Sequence, residues 1–159
     1  MKHSHEPKPV RASRIQLAQF MQPEHANSQG NIHGGWIMKL ADEAGALAST
    51  RHAAHRTVTV AIDQMVFHQP VHIGDLVIFN AEVTYAGRTS MEVEVQVTAE
   101  NPILGDRVRT TTAYLVYVAL DDHGRPTQVP PLLAETPEEQ KRLEEGQERQ
   151  KRRLAQKGK

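Results

Sequence analysis

The stretch NSQGNIHGGWIMKLADEAG, residues 27–45, decides the fold because it joins a glycine-rich loop to an apolar helix. At about 100° per residue, one face of this helix is apolar. That face consists of Ile37, Leu40, Ala41, Ala44, Leu47 and Ala48. Lys39 and Glu43 lie together on the far side, where an i,i+4 ion pair suits water. We therefore predict one helix, from Gly34 to about His55, that packs its apolar face on a sheet.

Five other stretches have the composition of β-strands. They predict strands at residues 14–21, 57–70, 75–85, 91–98 and 108–120. In residues 91–98, Met or Val at positions 91, 93, 95 and 97 alternates with Glu or Gln at 92, 94 and 96, as in a strand with one buried face. A single helix cannot supply parallel crossovers, so the last four strands must form an antiparallel sheet that the helix covers. The fold class is therefore α+β.

Length and composition limit the class of protein. The 159 residues suit one domain, and 19 Lys plus Arg balance 19 Asp plus Glu, which argues against nucleic-acid and membrane partners. The scattered histidines and the absence of cysteine argue against a metal site. With no secretion signal and no long apolar run, we expect a cytoplasmic protein. We expect a loose arm over residues 1–12, the domain over 13–130 and a charged helix or tail over 131–159, with a basic end (151–153) that serves solubility.

Asp42 belongs to neither face of the predicted helix. It shares a third sector with small or apolar residues, namely Met38, Gly45, Ala46 and Ser49. These indicate that a second surface approaches, most simply another subunit, where a carboxylate is costly unless it is paired or used. The alternative is a solvated or capped aspartate. His33-Gly34-Gly35 precedes it, and the first turn of a helix has N–H groups without internal partners. Together they describe a place where an oxygen gains negative charge next to a base.

These residues resemble the hotdog-fold acyl-CoA thioesterases, specifically the cytosolic acyl-CoA hydrolase group. The shared pattern is N-x-x-G-x-x-x-GG-x-(I/L)-(M/L)-x-x-x-D-E-A-(A/G), which here begins at Asn27 and ends at Gly45. The resemblance covers about residues 13 to 125. It implies a curved antiparallel sheet wrapped around one central helix, in homodimers with a continuous sheet that usually form hexamers, or tetramers in some relatives.

The resemblance also implies a reaction, the hydrolysis of acyl-CoA to a free fatty acid and CoA. CoA belongs to the substrate, and no cofactor is implied. Asp42 would be the catalytic carboxylate, with Asn27 of the opposing subunit as its partner, and backbone N–H groups at Gly34 and Gly35 would polarise the thioester carbonyl. His33 would contact substrate or only shape the start of the helix. The expected CoA contacts are Val60 along the pantetheine arm and the loop residues Gly87, Arg88, Thr89 and Ser90.

Two mechanisms and two other functions stay open. Asp42 is either a general base on a water held by Asn27 or a nucleophile that forms an anhydride. Hotdog dehydratases need an Asp/His pair on the helix, whereas Asp42 has Glu43 beside it and no His within one turn. A non-catalytic acyl-CoA sensor would leave the Asn27/Asp42 pair without a purpose, and no DNA-binding segment accompanies the domain. The role of Asp63 is left open.

Overall fold

The computed structural model of the chain describes residues 5–158. These residues form the α-helices α1 (Gly34–Ala53) and α2 (Pro137–Lys157). The strands are β1 (Lys8–Pro9), β2 (Ile15–Phe20), β3 (Arg56–Met65), β4 (Leu76–Ala86), β5 (Ser90–Glu100), β6 (Arg107–Leu120) and β7 (Leu132–Leu133). Short 3₁₀ turns occupy Val10–Ser13 and Pro23–His25. Within the described residues, no helix is long and apolar enough to cross a bilayer.

The five longer strands form one antiparallel sheet in the order β2-β4-β5-β6-β3. The predicted α+β class, with one helix against an antiparallel sheet, is confirmed. Strand β3 ends at Met65 rather than at residue 70, because regular pairing with β6 stops there and Phe67 packs near Gly34. A register shift between Thr59 and Ala61 interrupts its pairing with β6.

Helix α1 packs on one face of the sheet and encloses the core. Its residues Ile37, Ala41, Ala44 and Ala48 are buried, as the apolar stripe predicted. Leu47 was assigned to the same stripe but is 45% exposed, so that assignment is wrong. The inward positions of β4, β5 and β6 complete the core with Phe79, Val93, Val95, Leu115 and Tyr117.

Helix α2 covers the opposite face of the sheet, where Glu92 of β5 is completely buried. The Glu92 carboxylate accepts two hydrogen bonds from Arg149, at 2.9 and 2.8 Å, and another from Arg153. Arg153 also pairs with Asp63 at 3.1 Å, which gives that aspartate a structural role. The expectation that the basic end of the tail serves only solubility is therefore wrong for Arg153, because a buried carboxylate requires a charged partner.

The N-terminal segment is packed rather than loose from Lys8 onward. Strand β1 pairs in parallel with β7, and Val10 is buried. The predicted arm over residues 1–12 therefore contributes to the fold in its second half, while residues 1–4 lie outside the described residues. This segment also reaches helix α1, because the Lys8 ammonium donates to the carbonyl oxygen of Arg51 at 3.1 Å.

Candidate active site

Two hydroxyl groups hold the half-buried carboxylate of Asp42 at the middle of α1. Thr59 Oγ1 on β3 donates to Asp42 Oδ1 at 2.7 Å. Tyr117 Oη on β6 lies 3.0 Å from the same Oδ1 and 3.0 Å from the backbone oxygen of Asp42. Oδ2 receives no hydrogen bond from the described part of the chain. Asp42 is thus paired through one oxygen and leaves the other for a ligand or a water.

Gly45 explains how Tyr117 reaches the helix. A Cβ atom at Gly45 would lie 2.3 Å from Tyr117 Oη, far closer than any real contact. The small residues around Asp42 were expected to admit another subunit. At Gly45, however, the group that covers the helix is a tyrosine of the same chain. The Ser49 hydroxyl is likewise covered from within, by Thr57 Oγ1 at 2.8 Å.

Burial keeps the Tyr117 hydroxyl protonated. Its removal from water, and next the charge and hydrogen bond of Asp42, raise the pKa of Tyr117 well above its usual 10.0. The hydroxyl is therefore protonated and able to donate at neutral pH. Sequence reasoning missed both donors to Asp42, although a glycine inside an apolar helix signals that a bulky group comes close.

The start of α1 differs from the expectation in one respect. His33 is the N-cap, and its Nδ1 accepts a hydrogen bond from the Gly35 amide at 2.9 Å. The Gly35 amide, predicted to polarise the substrate carbonyl, is thus already engaged because the histidine satisfies it. The neighbouring Gly34 amide has no acceptor among residues 5–158, and the Phe67 ring packs near its Cα. The free donor at this helix terminus is that of Gly34.

Asn27 lies in the loop that precedes α1. Its Oδ1 accepts hydrogen bonds from the backbone amides of Gln29, at 2.9 Å, and Asn31, at 3.3 Å. These bonds fix the side chain and leave its amide nitrogen free to donate. No hydrogen bond joins Asn27 to Asp42 within the described chain, so the structure does not bring this predicted pair together in one copy.

Three of the predicted CoA contacts share one groove. Val60, Thr89 and Ser90 line an open groove of about 550 Å³ between the sheet and the end of α2. Gly87 makes the tight turn that leads into it, with its amide bonded to Ser90 O at 2.8 Å. The Arg88 side chain is exposed on the same turn. His33 and Gly35 belong to a separate, shallow depression of about 290 Å³.

Strand β3 is an open edge of the sheet beside Asp42. Only β6 pairs with it, and its other side faces no described strand. Its apolar residues Val58, Val60 and Ile62 are each 38% exposed or more. Open, flat and apolar strand edges are templates for pairing with another chain.

Comparisons with known proteins agree with the fold. The sequence model of the thioesterase superfamily matches residues 29–105. The cytosolic acyl coenzyme A thioester hydrolase of Rattus norvegicus is 35% identical over 147 residues, 91% of this chain, but this chain spans only 38% of that protein. A solved hexameric acyl-CoA thioesterase is 35% identical with a TM-score of 0.91, over 95% of this chain and 97% of that one. An acyl-CoA hydrolase from Staphylococcus aureus, solved with butyryl coenzyme A, is 31% identical with a TM-score of 0.87, over 94% and 92%. The chain belongs to the hotdog-fold thioesterase superfamily, in the group of acyl-CoA thioester hydrolases.

Proposed function

We propose that this chain hydrolyses acyl-CoA to a free fatty acid and CoA, with Asp42 as the reacting carboxylate. The observation that carries the proposal is the asymmetry of Asp42, whose Oδ1 accepts from Thr59 and Tyr117 while Oδ2 stays free. The names of similar proteins support the substrate class, and the cytosolic relatives support a cytoplasmic location. Because the chain spans 38% of the first relatives' length, their whole activity is not transferred with it.

The site requires two copies of the chain. Gly34 and Asp42 are eight residues apart on one helix, or about 12 Å at 1.5 Å per residue. Tyr117 also holds the Asp42 carboxylate close to the backbone oxygen of Asp42. That oxygen points away from Gly34, toward the C-terminal end of the helix. A thioester carbonyl bound at the Gly34 amide is therefore too far from the Asp42 of the same chain, and we assign its reacting carboxylate to a second copy.

The open β3 edge beside Asp42 supports such a dimer. Pairing of two β3 strands would continue the sheet from one copy into the next and remove the open edge beside Asp42. Assembly of three such dimers into a hexamer is supported by relatives described as hexameric. We propose a homodimer as the smallest active unit.

The hydrolysis then needs few groups. Asp42 Oδ2 takes a proton from a water that Asn27 holds, and the water oxygen bonds to the thioester carbon. The carbonyl electron pair moves to its oxygen, which the Gly34 N–H stabilises in place of the engaged Gly35. Collapse of this intermediate breaks the carbon–sulfur bond and releases CoA as a thiolate, a leaving group that needs no strong acid. In the alternative route, Oδ2 itself attacks the carbon, the carbon–sulfur bond breaks to release the CoA thiolate, and water then hydrolyses the mixed anhydride.

The groove that contains Val60, Thr89 and Ser90 is the proposed path of the CoA arm. Its apolar strand residues suit the pantetheine chain, and the two hydroxyls supply polar contacts. Arg88 on the adjoining turn is free to meet a CoA phosphate, which a guanidinium binds with paired hydrogen bonds. His33, as the helix cap, would serve substrate binding only by shaping the Gly34 donor.

Thiol release from a series of acyl-CoA chain lengths tests the function. We expect wild-type hydrolysis and a fall in kcat of about 100-fold or more in Asp42→Asn, since general-base catalysis contributes about 10²–10⁴-fold. CoA binding should change little in that variant. Glu43→Gln, on the solvent side of the same helix, is the matched control and should keep wild-type activity. Wild-type turnover by Asp42→Asn would refute the assignment, and binding without thiol release would identify a sensor.

A further inference from the structure

We infer that Tyr117 is a positioning residue that fixes Asp42 in its reactive conformation, and that Gly45 is present in α1 to admit it. The inference rests on the proposed function, because it assigns Tyr117 a part in the same reaction. Tyr117 itself does not reach the substrate. It is completely buried and acts only through Asp42.

The contact geometry restricts one side chain from two directions. Tyr117 Oη is 3.0 Å from both the backbone oxygen and the Oδ1 of Asp42, so it bridges two atoms of one residue. The bridge ties the carboxylate to the helix backbone and removes its freedom of rotation about χ1. Thr59, at 2.7 Å from the same Oδ1, holds it from β3. With Oδ1 committed to both donors, Oδ2 is the oxygen presented to water or substrate.

The helix is built around this contact. Glycine in a helix interior is less favourable than alanine, so a glycine at the centre of α1 needs a reason. The reason is steric, because a Cβ at Gly45 would meet Tyr117 Oη at 2.3 Å and Tyr117 Cζ at 3.0 Å. These are the hydroxyl oxygen and a ring carbon of a fully buried side chain that cannot move aside cheaply. Alanine at this position would push the hydroxyl away from Asp42.

The same strand supplies a matched control. Tyr114, three residues earlier on β6, points to the opposite face of the sheet, and its hydroxyl donates to Glu94 Oε2 at 3.1 Å. Tyr114→Phe and Tyr117→Phe therefore each remove one hydroxyl that bonds a carboxylate, on opposite faces of one strand. Only the second hydroxyl touches Asp42.

The test compares the two variants in the full-length protein by thiol release. Loss of a hydrogen bond to a charged group changes a rate or an equilibrium constant by about 10-fold or more. We therefore expect Tyr117→Phe to lower kcat by that factor, with KM nearly unchanged. Tyr114→Phe should leave kcat at the wild-type value. Gly45→Ala should lower kcat as Tyr117→Phe does, although it retains the hydroxyl.

A double variant separates positioning from a purely structural role. If Tyr117 acts through the carboxylate, Tyr117→Phe has no further effect on the residual rate of Asp42→Asn. An additive loss in that background, or equal kcat values for Tyr117→Phe and Tyr114→Phe, would overturn the inference. If the wild-type protein has no hydrolase activity, a crystal structure of Tyr117→Phe still tests the contact. We then expect the Asp42 side chain in more than one rotamer. A single, unchanged Asp42 rotamer there would refute it.

Discussion

Removal of the Glu92 charge tests how helix α2 is held on the sheet. The Glu92 side chain is 0% exposed and binds Arg149 through two hydrogen bonds, Arg153 through one and Thr84 at 2.7 Å. Glu92→Gln keeps the shape of the side chain but replaces one carboxylate oxygen by an NH₂ group. That group cannot accept from an arginine, so Arg149 loses the carboxylate that it binds and Arg153 keeps only its pair with Asp63.

The expected loss of stability is large for one side chain. Breaking a buried ion pair by removing one partner costs about 3–5 kcal/mol. For a domain of this size, about 1 kcal/mol shifts the melting temperature by about 2–4 °C, so Glu92→Gln should lower it by about 6–20 °C. The same substitution at Glu43 disrupts the exposed pair with Lys39, which contributes about 0.3–0.5 kcal/mol, and should lower it by about 1–2 °C.

Thermal unfolding of both variants and the wild type, at one protein concentration, measures the difference. Circular dichroism before melting shows whether α2 remains helical. If Glu92→Gln melts within about 2 °C of Glu43→Gln, the buried charge cluster does not hold α2 and our account of the outer face is refuted.

Four further predictions concern pH, packing and binding. Burial would raise the pKa of Glu92, but its hydrogen bonds from Arg149, Arg153 and Thr84 lower that pKa below the ordinary 4.5. Wild-type stability should therefore fall as the pH drops below about 4.5. The melting temperature of Glu92→Gln should fall less steeply over the same pH range. Burial lowers the pKa of His52 below 6.5. The unfolded chain therefore takes up a proton at His52 before the folded protein does, and stability should decline as the pH falls below 6.5. In a pH series of melting curves, His52→Gln should remove this part of the decline. Gly146→Ala would place a Cβ 2.9 Å from Tyr85 and should destabilise the protein by about 1–3 kcal/mol in denaturant titrations, whereas a wild-type midpoint would contradict this close packing. Arg88→Ala should raise KM for acyl-CoA several-fold at constant kcat, and an unchanged KM would remove Arg88 from the phosphate site.

The sequence predicted the elements whose apolar residues recur with the period of a strand or a helix. The alternation in residues 91–98 predicted β5, and the apolar stripe of α1 identified the helix that covers the sheet. It also predicted a charged helix or tail at the C-terminal end, where α2 lies, but it did not predict that α2 packs on the sheet, because a helix rich in Arg and Glu has the pattern of a solvated surface. Burial of its arginines depends on Glu92, which lies 57 residues from Arg149 in the chain. No local pattern encodes such a pairing.

The candidate site divides in the same way. Asp42 stood out from the sequence because it matched neither face of α1. Its donors Thr59 and Tyr117 lie 17 and 75 residues away, and only the folded sheet brings them to it. The choice between Gly34 and Gly35 depended on the direction of the His33 ring, which the sequence leaves undetermined.

We propose that Asp42 of one copy and Asn27 of another complete one hydrolytic site. Mixing Asn27→Ala with Asp42→Asn, after dissociation and reassembly, tests it directly by thiol release. Each variant alone should be nearly inactive. In random reassembly half of the dimers are mixed, and each mixed dimer has one intact site, so the account predicts about a quarter of the wild-type rate. A mixture no more active than its two components would contradict a site shared between copies.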